Sequence, residues 1–340
     1  MKSLAIIGAS YLQRPLVQRA KEMGLRTICF AWEEGAVCKD LCDVFYPVSV
    51  MEKEEITRLC KAEHIDGVCT IASDVAAPTV AYVVEQLGLS GNSYAAATRA
   101  HDKLLMRECL VQAGVDCPRT DGAALPVIVK PSDRSGSLGV QKVEREEELV
   151  PAIERAKALS FTGEVLVEEY IEGREISVEM ISQGGHHYAL QITDKDTTGA
   201  PHFVELGHHQ PANIPNELRK RIFGITCKAL DALGLTDGAS HSEYRITNEG
   251  RVVVMEIAGR MGGDFIGSDL VQLSTGYDFL QGVIEVALGE PITVQTQALG
   301  RSSVVFTAPP DVTCSADRTG YIIYKNDEIY RKSVGRGTDL

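Results

Sequence analysis

Long apolar runs are missing from this 340-residue sequence, and the longest fall far short of the roughly 20 residues that a membrane-spanning helix needs. Residues 1–3 lead directly into a strand pattern, which is not typical of a signal sequence. Basic residues are also scarce, since 34 Lys and Arg stand against 47 Asp and Glu and the formal net charge is −13. This balance argues against nucleic acid as the main partner. We therefore expect a soluble cytoplasmic protein that acts on neither membranes nor nucleic acids.

Several common site motifs are absent as well. The sequence has neither the G-x-G-x-x-G spacing of dinucleotide sites nor the G-x-x-x-x-G-K-[ST] phosphate loop, and it contains no internal repeat. Its nine cysteines stand singly in apolar patterns, which indicates reduced core thiols. Cys38 and Cys42 form one close pair, but no second pair at metal-ligand spacing accompanies them, which argues against a zinc site.

Strand, turn and helix patterns alternate over residues 1–90 and predict a parallel sheet flanked by helices. Gly8-Ala9-Ser10 ends the first strand, where a helix N-terminus could meet an anion, and Glu33 follows the second strand, where it could meet a ribose. A tight strand-to-helix turn, however, needs glycine for geometric reasons alone. We therefore favour a structural turn over a nicotinamide site.

The pattern changes after a predicted helix over Asp102–Gln112, which indicates a hinge between domains. Consecutive strands begin at Pro126, and the first two flank the Ser- and Gly-rich loop 131–138. Such a loop can present backbone N–H groups to phosphate oxygens, although a mobile hairpin loop is the simpler interpretation of this stretch alone. Residues 194–210 read as irregular, and the adjacent His208 and His209 would point to opposite faces of a strand and chelate poorly.

Residues 241–263 predict a β-hairpin with a turn at Asn248-Glu249-Gly250. Matching the apolar side chains across the hairpin gives one continuous apolar face. The predicted facing pairs are Thr247 with Val252, Ile246 with Val253, Tyr244 with Met255, and Glu243 with Glu256.

Two directly opposed carboxylates, Glu243 and Glu256, repel each other unless a positive charge compensates them. A divalent cation is one compensator, and a few hard oxygen ligands that leave room for phosphate suit Mg²⁺. A salt-bridge cluster is the other, since Arg245 and Arg260 share the face. The hairpin alone does not decide between the two.

Taken in order, these features resemble the ATP-grasp superfamily of ATP-dependent carboxylate ligases, over essentially residues 1–306. The resemblance rests on Lys103 on the interdomain helix, VIVK (127–130) with the Ser/Gly loop, EEYIEGRE (168–175), HSEYRI (241–246) and EIAGRMGG (256–263). Within the superfamily, HSE followed by E-x-A-x-R and a Gly-Gly pair is most similar to the L-amino acid ligases, which join amino acids into dipeptides.

The resemblance implies an α/β fold, with α+β character in the catalytic part. An N-terminal Rossmann-like domain would precede a two-lobed ATP-grasp domain of antiparallel sheets and helices. The expected segments are the N-terminal domain (1–90), a helical linker (91–125), a small lid lobe (126–190), a large lobe with the metal site (191–306) and a C-terminal segment that could be a shortened lid (307–340).

Residue roles also follow from the resemblance, position by position. Two lysines, Lys103 and Lys130, match contacts to the ATP phosphates, and the loop residues Ser135, Gly136 and Ser137 match the segment that folds over them. Adenosine contacts match Glu168 (adenine amino group), Ile171 (backbone hinge) and Glu175 (ribose). The metal carboxylates match Glu243 and Glu256, Arg260 matches the arginine that steadies the acyl phosphate, and His241 matches a position near the acceptor. Ala258 stands where most members have Asn, which leaves the number of metal ions open.

The implied reaction joins a carboxylate to an amine through an acyl phosphate, with ATP and Mg²⁺ as cofactors and Mn²⁺ as an alternative ion. Small-molecule carboxylates and amines, most simply two amino acids, would be the substrates, and a homodimer is a further expectation. Two alternatives stay open. One is an ATP-grasp enzyme that acts on bicarbonate, a purine intermediate or another carboxylate, and the other is an ATP-binding protein without catalysis.

Overall fold

The computed structural model describes residues 1–199, 203–306 and 320–334. The strands are β1 (Ser3–Ile7), β2 (Arg26–Phe30), β3 (Val44–Tyr46), β4 (Gly67–Cys69), β5 (Val127–Pro131), β6 (Gln141–Val143), β7 (Val165–Glu169), β8 (Arg174–Gln183), β9 (His186–Thr197), β10 (Glu205–Gln210), β11 (Gly238–Ile246), β12 (Val252–Ala258), β13 (Ser302–Phe306), β14 (Gly320–Lys325) and β15 (Glu328–Val334). The helices are α1 (Arg14–Glu22), α2 (Lys53–Ala62), α3 (Ala77–Leu87), α4 (Tyr94–His101), α5 (Lys103–Gln112), α6 (Glu146–Leu159), α7 (Asn216–Leu233), α8 (Val271–Thr275) and α9 (Phe279–Ala287), with a π-helical turn at Ile266–Leu270.

The N-terminal strands form a four-stranded parallel sheet in the order β3-β2-β1-β4. Every residue of β1 is buried, as expected for a parallel strand with helices on both faces. The sheet therefore confirms the predicted alternation of strands and helices. Strand β3 was not predicted, because its apolar run is only three residues long and is half-buried.

The turn at Gly8, which ends β1, is filled by the side chain of Gln13. Gly8 has φ +114°, and a Cβ there would lie 2.9 Å from Cδ of Gln13. The same Gln13 side chain accepts hydrogen bonds from the backbone and the hydroxyl of Ser10, and donates to the carbonyl of Ile71. This geometry requires glycine without any ligand, in line with the structural turn that we favour from sequence.

A small antiparallel sheet, in the order β6-β5-β7, follows the interdomain helices. Helix α6 covers it, with Ala152 and Ala156 packed against the valines of β5 and β6. Two helices, α4 and α5, stand where the sequence predicted one. Ser93 caps α4 and Asp102 caps α5, so the polar residues read as a turn are helix caps.

A larger antiparallel sheet has the order β12-β11-β8-β9-β10-β13-β14-β15. Its apolar face packs against α5 and α7 around a core that includes Met106, Leu230 and Tyr244. The predicted irregular stretch 194–210 is wrong over most of its length, because β9 runs to Thr197 and β10 begins at Glu205. Polar side chains in these strands hide the alternation on which a strand prediction depends.

The predicted hairpin forms, but its register is only partly as expected. Glu243 faces Glu256 as predicted, whereas Tyr244 faces Val254 and Ile246 faces Val252, so the predicted partners of these two apolar residues are wrong. Met255 is the extra residue of a β-bulge. Its carbonyl accepts a hydrogen bond from Nη2 of Arg107, 2.7 Å away. The bulge explains why apolar matching over the whole hairpin failed while the carboxylate pair was found.

Strand β14 lies in the predicted C-terminal segment and pairs with β13 and β15. The rest of the predicted C-terminal segment at 307–319 and 335–340 lies outside the described residues. Among the described residues, no helix is both long enough and apolar enough to cross a membrane.

Candidate active site

A cleft of about 1190 Å³, counted to its open mouth, lies between the small sheet and the large sheet. All twelve predicted site residues line it. They are Lys103, Lys130, Ser135, Gly136, Ser137, Glu168, Ile171, Glu175, His241, Glu243, Glu256 and Arg260. The structure thus brings together residues that are spread over 158 positions of the chain, although their individual roles stay predictions.

Each hairpin carboxylate is held by a lysine from another element. Lys103 Nζ lies 3.1 Å from Oε1 of Glu256, and Lys195 Nζ lies 2.5 Å from Oε1 of Glu243. Burial raises the pKa of the Glu243 carboxyl, but Lys195 and His241 lower it by more, so the group is ionised at neutral pH. The two opposed carboxylates are therefore compensated by two lysines, an arrangement that differs from the arginine cluster considered from sequence.

These carboxylates fit a magnesium ion. Their donors are hard oxygens from two directly paired residues, and the side chains of Glu243 and Glu256 remain 35% and 26% exposed toward the cleft. Their compensating charges are the ammonium groups of Lys103 and Lys195, and a bound cation would supply the same compensation. Ala258 also lines the cleft but offers no ligand atom.

Glu168 lies in a different environment, at the dry end of the cleft. Its side chain is fully buried between Arg107, whose Nε is 2.9 Å from Oε2, and Lys130, whose Nζ is 2.5 Å from Oε1. Burial raises the pKa of the Glu168 carboxyl, but the two cations reverse this and keep the pKa below its usual range. Lys130 is thereby fixed at the cleft wall. The adenine contact expected of Glu168 stays a prediction.

The Ser/Gly loop between β5 and β6 forms the lid of the cleft. Its tip residues Ser135, Gly136 and Ser137 are exposed, and Ser137 and Gly136 have positive φ values of 57° and 65°. Its base is anchored, since Asp133 accepts hydrogen bonds from the backbone amides of Phe161 and Thr162. Lys103 Nζ donates to the carbonyl of Arg134, 2.7 Å away. An anchored base with an exposed tip is suited to folding over a ligand.

The cleft wall also carries the predicted hinge and ribose positions. Arg245 donates to the carbonyl of Ile171 at 2.5 Å and is ion-paired with Glu175. Apolar side chains that could enclose a flat ring line the cleft as well, namely Ile128, Val140, Ile176 and Met255. The arrangement places a polar edge beside an apolar slot, which is typical of nucleotide base sites.

His241 lies next to the carboxylate pair and is itself buried. Its Nδ1 is hydrogen-bonded to the fully buried Glu179, which also accepts from the amide of Gly262 at 3.1 Å. Burial lowers the pKa of the His241 imidazole, but Glu179 raises it by more, to about 9. A cationic imidazolium therefore stands within 3.4 Å of Glu243 in the ion-free protein.

Arg260 forms a bidentate pair with Asp74, with Nε at 2.8 Å from Oδ1 and Nη2 at 2.7 Å from Oδ2. Asp74 follows β4, so the pair joins the N-terminal sheet to the catalytic hairpin. The backbones also meet, because Ala72 donates its amide hydrogen to the carbonyl of Met261. Burial lowers and Asp74 raises the pKa of the Arg260 guanidinium, which stays charged.

Sequence reasoning did not identify three of the charged residues in this site, Lys195, Arg107 and Asp74. Lys195 fell in a stretch read as irregular. Arg107 lies one helical turn after Lys103 on the same buried face of α5, and this i, i+4 spacing was a usable signal. Asp74 sits in a loop where no pattern marked it.

Comparison with known proteins places these observations in a family. Residues 123–269 match the model of the ATP-grasp domain. Alanine–anticapsin ligase from Bacillus subtilis (strain 168) is 27% identical over 271 residues, which cover 66% of this chain and 57% of that protein. The chain thus spans little more than half the length of this curated relative, and 51% to 57% of three others.

Solved structures share the fold over nearly the whole chain. L-amino acid ligase from Bacillus licheniformis is 25% identical with a TM-score of 0.77, over 90% of this chain and 80% of that one. Phosphoribosylglycinamide synthetase from Anaerococcus prevotii, at 23% identity and a TM-score of 0.75 over the same shares, has the same fold. The resemblance predicted from the motifs is confirmed for the domain: residues 123–269 match the ATP-grasp domain, and the solved structures share the fold.

Proposed function

We propose that this protein is an ATP-dependent carboxylate–amine ligase that joins two amino acids and releases ADP and phosphate. The observation that carries the proposal is the pair Glu243 and Glu256, directly opposed at the cleft and held by displaceable lysines, with Arg260 beside them. The relatives named alanine–anticapsin ligase and L-amino acid ligase support the choice of amino acids as substrates.

In the proposed reaction, a carboxylate oxygen of the first substrate attacks the γ-phosphorus of ATP, and the bond to ADP breaks. The amine nitrogen of the second substrate then attacks the carbonyl carbon of the acyl phosphate, phosphate leaves and the amine loses a proton. Mg²⁺, with Mn²⁺ as an alternative ion, would be held by Glu243 and Glu256 and would neutralise phosphate charge. No covalent enzyme intermediate is needed.

The chain's own residues would align and protect the reactants. Lys103 and Lys130 would bind phosphate oxygens, while Arg260 would steady the acyl phosphate and His241 would lie near the acceptor. Ser135, Gly136 and Ser137 would close over the phosphates and exclude water, which otherwise hydrolyses the acyl phosphate. Glu168, Ile171 and Glu175 would contact the adenosine.

The proposed organisation follows the two sheets. Residues 1–90 would form the N-terminal domain and 91–125 the linker, with 307–340 as a C-terminal segment. The small lobe, expected from the resemblance at 126–190, would end with β7, and the large lobe would run from β8 to residue 306. Because β8 pairs with β11 in the large sheet, we place the structural division between the lobes after β7. A cytoplasmic location and a homodimer complete the proposal.

The test is ADP release by the purified chain with amino acids offered singly and in pairs. We expect release that requires both a carboxylate and an amine, together with a product whose mass equals the two substrates minus water. Glu256→Gln should lower the rate on the order of 10²- to 10³-fold, because a charge placed for the transition state is removed. Glu249→Gln, in the exposed turn of the same hairpin, is the matched control.

Other outcomes would separate the alternatives. ADP release that needs bicarbonate or a carboxylate without an amino group would assign another ATP-grasp reaction to the cleft. ATP binding without any turnover would indicate a binding protein. Undiminished turnover by Glu256→Gln would show that the metal assignment is wrong.

A further inference from the structure

A cluster of thiols packs against one face of the N-terminal parallel sheet. Cys29, Cys38 and Cys69 are buried in one hydrophobic core, and the half-buried Cys42 packs against it. None of these four residues lines the cleft. Among the described residues, their sulfurs belong to no group of three ligands suited to a metal ion. The chemistry available to the cluster is therefore that of the thiols themselves.

The connection between β2 and β3 brings two of these thiols together. Cys29 is the fourth residue of β2, and Cys42 lies two positions before β3 begins. The two segments are joined at this point, because the Asp43 amide donates to the Thr27 carbonyl at 3.1 Å. The Asp43 carboxylate in turn accepts from the Thr27 amide at 2.8 Å. Cys42 therefore reaches the core beside Cys29 from the side of the loop.

Cys42 differs from the other thiols of the cluster in its ionisation. Burial raises the pKa of Cys38 and of Cys69 to about 12. The Cys42 sulfur instead accepts hydrogen bonds from the thiol and the backbone amide of Cys29, which lower its pKa to about 7 although burial opposes this. The same thiol hydrogen bond raises the pKa of Cys29, which keeps its proton. One thiol of the pair is thus stabilised as a thiolate by the other.

These properties are those of a redox-active pair of thiols. A reactive thiol is accessible and ionises readily, and a resolving thiol lies next to it. Cys42 is half-buried in a loop segment, whereas Cys29 is fully buried in β2. The two sulfurs must approach further to reach the disulfide bond length of about 2.05 Å, and the loop can supply this movement without displacing β2.

We propose that Cys42 and Cys29 form a reversible redox pair, in which Cys42 reacts with a peroxide and Cys29 then closes a disulfide. The Cys42 sulfur attacks one peroxide oxygen, so an S–O bond forms and the O–O bond breaks. The hydroxide that leaves combines with the proton released by Cys42 to give water. The inference does not depend on the proposed ligase activity.

The second step joins the two sulfurs. The Cys29 sulfur attacks the Cys42 sulfur, so the S–S bond forms and the S–O bond breaks. The hydroxyl group leaves with the Cys29 proton as a second water molecule. The two cysteines together lose two electrons, which the peroxide accepts, and a small-molecule dithiol reverses the reaction by thiol–disulfide exchange.

The disulfide would close the loop between β2 and β3 at its base. This loop contacts the turn that follows β1, because the Cys38 amide donates to the Ala9 carbonyl at 3.0 Å and the Cys38 thiol donates to the Ser10 carbonyl at 3.4 Å. Oxidation would therefore fix the loop against β2 and limit its movement relative to this turn.

The experiment uses the full chain in dilute solution, reduced, freed of reductant and exposed to a small molar excess of hydrogen peroxide. Alkylation under denaturing conditions followed by mass spectrometry counts the remaining thiols. We expect two of the nine thiols to be lost and to return on treatment with dithiothreitol. Cleavage after Glu34 separates Cys29 from Cys38, so the disulfide-linked peptides identify the partner of Cys42.

Three variants divide the reaction into its steps. Cys42→Ser should keep all of its remaining thiols under the same exposure. Cys29→Ala should stop at the sulfenic acid of Cys42, which dimedone traps. Cys227→Ser, at another half-buried cysteine on α7, is the matched control and should lose two thiols as the wild type does.

Three results would overturn the proposal. They are no loss of thiols in the wild type, the same loss in Cys42→Ser, and a disulfide that joins Cys42 to Cys38. Because Cys29 is fully buried, circular dichroism checks that Cys29→Ala folds. Cys42 is only half-buried, and Cys42→Ser carries the test if Cys29→Ala does not fold.

Discussion

The two ends of the cleft hold their carboxylates in opposite ways. At one end, Glu168 is fully buried and is saturated by Arg107 and Lys130. At the other, Glu243 and Glu256 are 35% and 26% exposed. Lys195 and His241 pair with Glu243, and Lys103 pairs with Glu256. Both clusters pair carboxylates with cations, but the Glu168 cluster is shielded from solvent, whereas the hairpin carboxylates are accessible from the cleft.

This difference in burial suits the carboxylates to two tasks, which are holding a neighbouring side chain in place and binding an ion. Removing either cation from the buried carboxylate is costly, because it leaves a buried charge with one partner fewer. A partly exposed carboxylate is open to an incoming cation, which can take over the charge compensation that the lysine provides. Glu168 is therefore suited to fix Lys130 in place, and the hairpin carboxylates are suited to bind an ion that comes and goes.

The largest effect should come from breaking the dry cluster. Arg107→Ala leaves Glu168 buried with one cation and also removes the donor to Met255, and we expect the free energy of unfolding to fall by about 3–5 kcal/mol. Chemical denaturation measures the loss. Arg119→Ala is the control, because Arg119 pairs with Glu169 while 70% exposed and should cost about 0–1 kcal/mol. Equal losses of unfolding free energy in the two variants would mean that the buried ion pair contributes no more than the exposed one.

Asp74→Asn tests an intermediate case, a bidentate pair that is 12% and 14% exposed. Without the second charge, Arg260 should lose its fixed orientation, and we expect kcat for ligation to fall roughly 10- to 100-fold while the KM for ATP is unchanged. Steady-state kinetics separates the two parameters. Asp121→Asn, at an exposed turn, is the control. A higher kcat in Asp74→Asn would indicate instead that Asp74 withholds Arg260 from the substrate.

Lys195→Met tests whether the lysine beside Glu243 opposes cation binding at the hairpin carboxylates. Lys195 competes with a cation for Glu243, so its removal should raise the affinity for Mg²⁺ in the absence of nucleotide by roughly tenfold, or about 1.4 kcal/mol. Isothermal titration calorimetry measures the change, with the exposed Lys220→Met as control. Unchanged or weaker binding would mean that Lys195 supports the ion site and does not oppose it.

The predicted register of the hairpin was one residue off at the turn, where Ile246 and not Thr247 faces Val252. The extra residue at the bulge offsets this shift, so Glu243 faces Glu256 as predicted. The sequence could not predict Met255 as the bulged residue, since that depends on Arg107, 148 positions away in the chain. Strands β1, β2 and β4 of the parallel sheet were predictable because each is a short, buried and mostly apolar run. Strand β3 and helix α4 were not, since half-buried or alanine-rich segments carry little periodicity.

The charged partners in the site were the hardest to predict. Lys195 and His208 face each other on β9 and β10, where buried polar residues break the apolar alternation that marks a strand. Their burial is tolerated because carboxylates from other elements compensate them, and those contacts are made only in the folded chain. The familiar motifs located the cleft, whereas tertiary contacts determine which charges compensate which carboxylates.

The smallest expected effect concerns His241, which lies between Glu243 and the buried Glu179. An unfolded histidine titrates near 6.5, whereas Glu179 raises the pKa of folded His241 to about 9. Its charge therefore stabilises the ion-free fold fully below about pH 6.5, and this stabilisation is lost as the pH rises to 9. We expect the Tm difference between wild type and His241→Asn, measured with a chelator present, to shrink by a few degrees over that window. A His209→Asn variant, on an exposed ring, should show no such trend. A difference independent of pH would mean that Glu179 holds a neutral imidazole, in which case the charge beside Glu243 comes from Lys195 alone.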